Sequence, residues 1–364
     1  MPDHTIRAAK AGYRAATEAD NPALRELERA CPQGSRLKIY SERDDYFFRS
    51  CLYGNDHTLV TFDHRQGRLF GVMSAALKEV YLGDAVRSAA FFYDLRVHPE
   101  YRRSLLGRQM LGVWNAMERW AEASGAHLIY GLVKHDNDLM IGMRGKRSGY
   151  RFVGGMQVLS RPVFRKVRLR AQPEEVASDD GELARAVWER YGVLDFYPTA
   201  FRYNLLTPVM AGTGLFSFYR LRRDSSWAAL GLFRAARVQR TRVVRIPSGY
   251  KLLQPLFGAL NPILPLPRIP REGGSVGYYC LFNPLAVGPQ GMTLWRDLVA
   301  HANNLALEEG ATLLTGAFDP RDAFLPEFRK GAMNRIEYLL GVRPLKSDLP
   351  QAVNGYFPDV RDMN

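Results

Sequence analysis

The amino-acid sequence predicts an α/β (α+β) protein made of two related domains, each with a mixed central sheet flanked by helices. With 364 residues, the chain is too long for one ordinary compact core. Apolar residues make up 46% of it and charged residues 24%, which is typical of a globular protein. The order strand, loop, helix, strand, helix also occurs twice, at an offset of roughly 185 residues, which indicates two copies of one fold.

A polar stretch near the middle of the chain, RAQPEEVASDDGE, interrupts the pattern of apolar residues. We therefore expect a first domain at residues 1–170, a linker at 171–182 and a second domain at 183–364.

In the first domain, strands are expected where apolar runs meet turn residues, and helices where a cap precedes an amphipathic stretch. Asp20 is a suitable cap for a helix that runs to Cys31, and Gly125 ends a long helix that begins near Ser104. The other expected elements are helices at 44–52 and 138–147 and strands at 12–16, 58–62, 69–81, 88–97, 127–133, 150–160 and 163–169.

The second domain is expected to contain helices at 183–191, 250–260, 292–309 and 323–340, with strands at 215–222, 227–233, 241–246, 276–282, 312–318 and 356–360. Its segment 250–270 is apolar and holds five prolines, so it cannot form one long helix. We expect a short buried helix and an extended strap there. The alternative is a segment that enters a membrane interface or covers an acyl chain.

The net charge of +13 favours anionic partners, such as nucleotide cofactors, acidic carrier proteins, nucleic acid or anionic lipid. The excess is diffuse, so a nucleic-acid groove is not expected. Cys31, Cys51 and Cys280 are far apart and indicate neither a metal site nor a disulfide framework. The first 20 residues lack the apolar region of a signal peptide, and no run of about 18 apolar residues occurs. We expect a cytoplasmic protein; its oligomeric state stays open.

The stretch 92–109, FYDLRVHPEYRRSLLGRQ, is the most informative part of the chain. An apolar strand leads into a His-Pro-Glu-Tyr corner, then a basic loop, then an amphipathic helix. Unpaired N–H groups at a helix start, together with the helix dipole, favour anions. Because Arg102, Arg103 and Arg108 surround the same point, the sequence predicts a phosphate-binding site.

The run YDLRVHPEYRRSLLGRQML resembles motif A of the GNAT superfamily of CoA-dependent acyltransferases. In that motif, a strand ending V-x-P-x-Y/F-R leads into Q/R-x-x-G-x-G/A and a helix. The corresponding residues are Arg102, Arg103, Ser104, Leu105, Leu106 and Gly107, with Leu105 in place of the first glycine. The whole chain is also similar to bacterial proteins made of two tandem GNAT domains.

The resemblance implies an acyl-CoA site, with acetyl-CoA as the expected donor. The main chain of Leu95, Arg96 and Val97 should bind the pantetheine arm as an added strand would. The N–H groups of 103–108 should hold the pyrophosphate, with Arg102, Arg103 or Arg108 paired to its charge. The thioester carbonyl should lie where two central strands diverge. Asn137 either contacts the cofactor arm or is a plain helix cap.

Direct transfer to an amine needs a base within about 3 Å of that amine or one water away. Asp94 is the first candidate, and the alternative is an ion pair of Asp94 with Arg96 or a neighbour. Tyr93 and Glu79 are weaker candidates, and the imidazoles of His98 and His135 can act near neutral pH.

Many GNAT members carry a tyrosine that protonates the leaving thiolate, four positions before the glycine that ends the next helix. That position is Gly145 in this chain. A water or another tyrosine must then supply the proton.

The second half lacks motif A, because its loop between Asn283 and Thr293 contains no basic residue. We expect a degenerate copy that shapes the acceptor pocket or holds the halves together. The expected function is metal-free acyl transfer from acetyl-CoA to a small-molecule or peptide amine. The alternatives are an aminoacyl- or long-chain acyltransferase that uses tRNA or an acyl carrier protein as donor, and a non-catalytic CoA-binding regulator.

Overall fold

A computed structural model describes residues 12–34, 37–63, 67–102, 109–145, 149–260, 263–264, 266–267, 269–347 and 354–363. The helices are α1 Asn21–Ala30, α2 Phe48–Cys51, α3 Gln109–Ala123, α4 Asp138–Gly145, α5 Gly181–Tyr191, α6 Pro208–Gly212, α7 Ser248–Leu260, α8 Gly291–Glu308 and α9 Phe324–Arg329. The first eight strands are β1 Tyr13–Ala15, β2 Lys38–Arg43, β3 Asp56–Asp63, β4 Arg68–Leu82, β5 Ala85–Val97, β6 Leu128–Lys134, β7 Arg151–Pro162 and β8 Glu174–Val176. The other eight are β9 Tyr197–Pro198, β10 Phe216–Arg223, β11 Ser226–Phe233, β12 Gln239–Arg245, β13 Ser275–Val276, β14 Tyr278–Val287, β15 Leu313–Phe318 and β16 Asn334–Pro344.

One continuous mixed sheet runs through both halves of the chain. Its strand order is β1-β3-β4-β5-β6-β16-β7-β15-β14-β11-β10-β8, and β9 pairs with β4. The pairs β5–β6 and β14–β15 are parallel, and the other pairs in the sheet are antiparallel. A small second sheet, β13-β12-β2, joins a strand of the first half to two of the second.

The sheet order confirms the prediction of two copies of one fold. In the first half β1, β3, β4, β5 and β6 follow one another, and β8, β10, β11, β14 and β15 do the same in the second half. Each copy is completed by a strand of the other: β16 lies beside β6, and β7 lies beside β15. The two exchanged strands also pair with each other at the centre of the sheet.

The predicted linker at 171–182 contains the short strand β8 and the first two residues of α5. A cut there would separate β16 from β6 and β7 from β15, so the ends of the halves are interlocked. The division into folding units at this segment stays a prediction.

Several expected elements are wrong. Residues 163–169 form no strand. The helix expected at 323–340 is the six-residue α9 followed by β16, and the strand expected at 356–360 is irregular and leads into a 3-10 helix, Val360–Met363. Strand β2 was not expected. Helix α7 forms as predicted, but it contains no buried residue, so the expected burial is wrong.

In the β5–β6 region, helix α3 covers one face of the sheet. The opposite face is not covered by this helix. Helix α3 packs Val113 and Met117 against Phe92 and Ile129. Because side chains alternate along a strand, Phe91, Tyr93 and Tyr130 point to the opposite face. None of the helices in the described ranges combines the length and apolarity needed to cross a bilayer.

The C-terminal segment 354–363 closes that opposite face. Lys78 on β4 is buried and forms ion pairs with Asp359 at 2.8 Å and with Asp362 at 3.0 Å. The Arg49 side chain donates to the backbone carbonyls of Arg361 and Asp362. Charges from the first half and from the end of the chain therefore compensate one another inside the protein.

Replacing Lys78 with Met should destabilise the fold strongly. The change leaves two buried carboxylates short of a positive charge, and breaking a buried ion pair by removing one partner costs roughly 3–5 kcal/mol. The free energy of unfolding from urea titrations measures the loss. Lys166→Met is the control, since Lys166 is an exposed lysine paired with Glu308, and it should cost less than about 1 kcal/mol. Equal stability of the two variants would contradict this role of Lys78.

The protein should lose stability in acid. Burial opposes ionisation of Asp359, but the charges of Arg361 and Lys78 outweigh it and hold the pKa of Asp359 below its ordinary value. The unfolded chain then binds protons more readily than the folded protein. The stabilisation is present above the unfolded-state pKa of about 3.9 and is lost as the pH falls below it. Thermal midpoints followed by circular dichroism should fall progressively below about pH 5, and a midpoint that stays level down to about pH 3 would refute this account.

Candidate functional site

Strands β5 and β6 start side by side and then diverge. They are paired from Ala89 to Phe91 on β5 and from Leu128 to Tyr130 on β6. Beyond that point β6 continues along β16, whereas β5 continues along β4. In the described ranges, the edge of β5 that faces β6 therefore has no strand beside it over its last residues. An extended chain with amide groups, such as a pantetheine arm, fits this edge as an added strand.

A bulge re-aims β5 at the point of divergence. The pairing of β5 with β4 shifts between Val72 and Ser74, and Asp94 has a φ of 49°. A non-glycine residue in the left-handed region is uncommon and is tolerated where the surroundings fix it. Asn283 has a φ of 47° at the bulge of β14, so the second copy retains the same kink.

Asp94 lies in a buried cluster of opposite charges. Its carboxylate accepts a hydrogen bond from Arg43 at 2.8 Å and lies 3.6 Å from both Arg49 and Arg96. Arg96 also donates to Glu28 at 2.6 Å. Burial would raise the pKa of Asp94, but the three guanidinium groups outweigh burial and hold that pKa well below its ordinary value. A carboxylate in this setting has little affinity for a proton, so the geometry favours the ion-pair alternative for Asp94.

Tyr93 is buried on the face of the sheet opposite α3. Its hydroxyl lies 2.8 Å from the Ser50 hydroxyl, and the Arg49 guanidinium is 4.6 Å from the ring centroid. Burial is the main cause that raises the pKa of Tyr93, which keeps the phenol neutral.

The strand residues expected to bind the donor arm are in the predicted position. Leu95, Arg96 and Val97 form the end of β5, beyond its pairing with β6. The Val97 carbonyl accepts hydrogen bonds from the Arg102 guanidinium at 3.0 Å and from the Cys31 thiol at 3.3 Å. Arg102 is exposed at the mouth of the gap, whereas the Arg96 side chain is committed to the buried cluster.

The predicted phosphate loop, Arg103, Ser104, Leu105, Leu106, Gly107 and Arg108, lies outside the described residues. Helix α3 begins directly after it. Asn137 precedes α4, and its side-chain oxygen accepts a hydrogen bond from the Met140 N–H at 3.3 Å, which is the arrangement of a helix cap.

The second copy joins its strand and helix differently. Three residues, 288–290, connect β14 to α8, whereas a 3-10 helix, Pro99–Tyr101, follows β5. The Gln290 N–H donates to the Ser226 hydroxyl at 3.1 Å, and a Cβ on Gly291 would come within 2.9 Å of the Ala286 backbone. The start of α8 therefore packs against its own strand, which agrees with the prediction of a degenerate copy.

A cavity of about 460 Å³ lies where the exchanged strands meet. It is lined by His135 after β6, by Met156 on β7, by Tyr338 on β16 and by Arg321 after β15. Tyr338 was missed in the sequence, because its segment was expected to be a helix. Among the described residues the Tyr338 hydroxyl has no hydrogen-bond partner, and burial raises the pKa of Tyr338 to about 12.

Comparisons with known proteins agree with this geometry. A sequence model of the acetyltransferase (GNAT) family matches residues 21–150. Acetyl transferase GW6a of Oryza sativa subsp. japonica is 26% identical over 366 residues, which cover 86% of each chain. The probable N-acetyltransferase HLS1 of Arabidopsis thaliana is 24% identical over 309 residues, or 73% of this chain and 71% of that protein.

The fold has a solved counterpart of similar size. Saccharomyces cerevisiae N-myristoyltransferase with bound myristoyl-CoA superposes with a TM-score of 0.57 over 96% of this chain and 90% of that chain. The sequence identity is 8%, so this likeness concerns the fold alone. The GNAT match over residues 21–150, which include the diverging strands, and the similarity to acetyltransferases along most of the chain support an acyltransferase of the GNAT superfamily.

Proposed function

We propose that the protein transfers an acetyl group from acetyl-CoA directly to an amine. The observation that carries this proposal is the unpaired edge of β5 beside the diverging β6, directly before the basic loop. In this proposal the main chain of Leu95 to Val97 holds the pantetheine arm. Arg102 and the loop 103–108 neutralise the pyrophosphate. A cytoplasmic location, where acyl-CoA is available, is part of the proposal.

The reaction needs a group that protonates the leaving thiolate, and we assign this role to Tyr338. Tyr338 lies opposite Lys134 of β6 and packs against the cluster that contains Phe91 and Tyr93. Burial raises its pKa to about 12. Its phenol is protonated at neutral pH and available as a proton donor.

The amine must lose a proton as it attacks the thioester. Since the arginines around Asp94 reduce its proton affinity, another group must accept the proton of the amine. His135 lines the same cavity as Tyr338, and an imidazole can accept a proton near neutral pH. In this scheme the cavity admits the amine, Asp94 fixes the bulge of β5, and Tyr93 belongs to the buried cluster against which Tyr338 packs.

A longer acyl donor is the second candidate. The related fold of N-myristoyltransferase was solved with myristoyl-CoA bound, which makes a fatty acyl-CoA a donor to be tested here. Calorimetric titrations with acetyl-CoA and with longer acyl-CoAs separate these donors. An absence of binding to all of them would refute the proposal and favour tRNA or an acyl carrier protein as donor. Binding without thiol release on a panel of amines would favour a regulator.

Arg102→Glu should weaken the binding of acetyl-CoA at least about tenfold. The change replaces an attractive charge at the mouth of the gap by a repulsive one, and charge-assisted contacts to phosphate are strong. The thermal midpoint should stay nearly unchanged, because Arg102 is exposed. Arg223→Glu, the same change at an exposed position of β10, is the matched control and should bind normally. A large loss of stability in Arg102→Glu would show instead that this arginine is structural.

Tyr338→Phe should lower kcat about 100-fold while the KM for acetyl-CoA stays within about twofold, because the substitution removes a proton donor and no binding contact. The thermal midpoint should be preserved, since the hydroxyl has no partner among the described residues. Tyr130→Phe is the comparison variant. Its hydroxyl bonds Asp362, so that change should affect stability more than kcat. An unchanged kcat in Tyr338→Phe would exclude Tyr338 as the proton donor.

A further inference from the structure

Helix α7 presents an apolar face to solvent. Leu252 is 81% exposed, and Leu253 and Leu256 are exposed on the same side of the helix at spacings of three and four residues. The N–H groups of Ile263 and Leu264 bond the Leu260 carbonyl, and both side chains are exposed. Ile263 is 79% exposed. We call the exposed side chains Leu252, Leu253, Leu256, Ile263 and Leu264 the α7 patch.

The segment that follows α7 fixes which side of the helix faces outward. Gln254 donates to the Pro270 carbonyl at 2.8 Å, and Phe257 faces Ile269 across a cavity of about 720 Å³. At the base, Glu272 accepts from the Ile246 N–H and pairs with Lys251 at 2.9 Å. The helix and the returning segment form a hairpin whose inner side is lined by Gln254 and Phe257, so the α7 patch lies on the outer side.

The chain around the patch is basic. Residues 240–272 contain six lysines or arginines and one acidic residue, Glu272. Arg242 and Lys251 are paired with Glu42 and Glu272, and Arg245 and Arg271 are exposed where the hairpin begins and ends. Large exposed apolar areas on proteins mark interaction sites. Their combination with basic side chains is typical of helices that lie in the interface of an anionic bilayer.

We propose that the α7 patch docks the protein on an anionic lipid surface. The thirteen-residue helix, interrupted by Pro255, is too short to span a bilayer, so it lies in the headgroup region with its leucines inserted. A second copy of the chain is disfavoured as occupant, because two such patches would carry charge of the same sign in a protein of net charge +13. This inference goes beyond the acyl transfer and does not depend on it.

Sedimentation of the full chain with large unilamellar vesicles tests the proposal. Binding is expected to vesicles that contain phosphatidylglycerol, and it should decrease with added salt and be weak on pure phosphatidylcholine. Leu252→Ser combined with Ile263→Ser should reduce the partition coefficient at least about tenfold. Arg245→Glu should reduce it several-fold on the anionic vesicles only.

The control is Val193→Ser combined with Tyr203→Ser, at positions 63% and 72% exposed outside the hairpin, which should bind as the unmodified protein does. Absence of binding to the anionic vesicles, equal binding to neutral ones, or full binding by the Leu252 and Ile263 double variant would each overturn the proposal. Light scattering that instead reveals a dimer, dissociated by the same double variant, would assign the patch to a second copy.

Discussion

The pairing of the two exchanged strands determines how the rest of the molecule is arranged. Strand β16 pairs with β6 from Tyr338 to Pro344 and with β7 on its other side, and β7 pairs with β15. In each half, therefore, one strand of the sheet is supplied by the other half. Because these backbone groups would be unpaired in an isolated half, the two copies are expected to depend on each other for stability.

The same interlocking explains why so many charges are buried in this protein. Where the halves and the C-terminal segment meet, Lys78 faces Asp359 and Asp362, and next to them Arg43, Arg49 and Arg96 surround Asp94 and Glu28. Buried ion pairs contribute little net stability, but removing one member is costly, so they favour one arrangement over others. These clusters hold the bulge of β5 and the tail in position beside the gap.

The sequence was sufficient for features that depend on neighbouring residues. The strand, corner and helix around Val97 could be predicted, since cap, turn and periodicity signals lie within one short stretch. Strand β16 could not, because the apolar residues of 323–340 also suit a helix and only pairing with β6 and β7 decides between them. Tyr338 and two arginine partners of Asp94, Arg43 and Arg49, were missed for the same reason, as they reach the site from distant segments.

The two copies also show why a single donor site is expected. Both retain the bulge, at Asp94 and at Asn283, so the kinked strand alone does not make an anion site. The second copy connects strand and helix through three residues, and the hydroxyl of Ser226 occupies one of the N–H groups that a phosphate would need. The first copy has Arg102, Arg103 and Arg108 at this point of its sequence. In the proposed reaction the first half then binds the donor, and the second half contributes through β16, whose Tyr338 compensates for the tyrosine absent at Gly145.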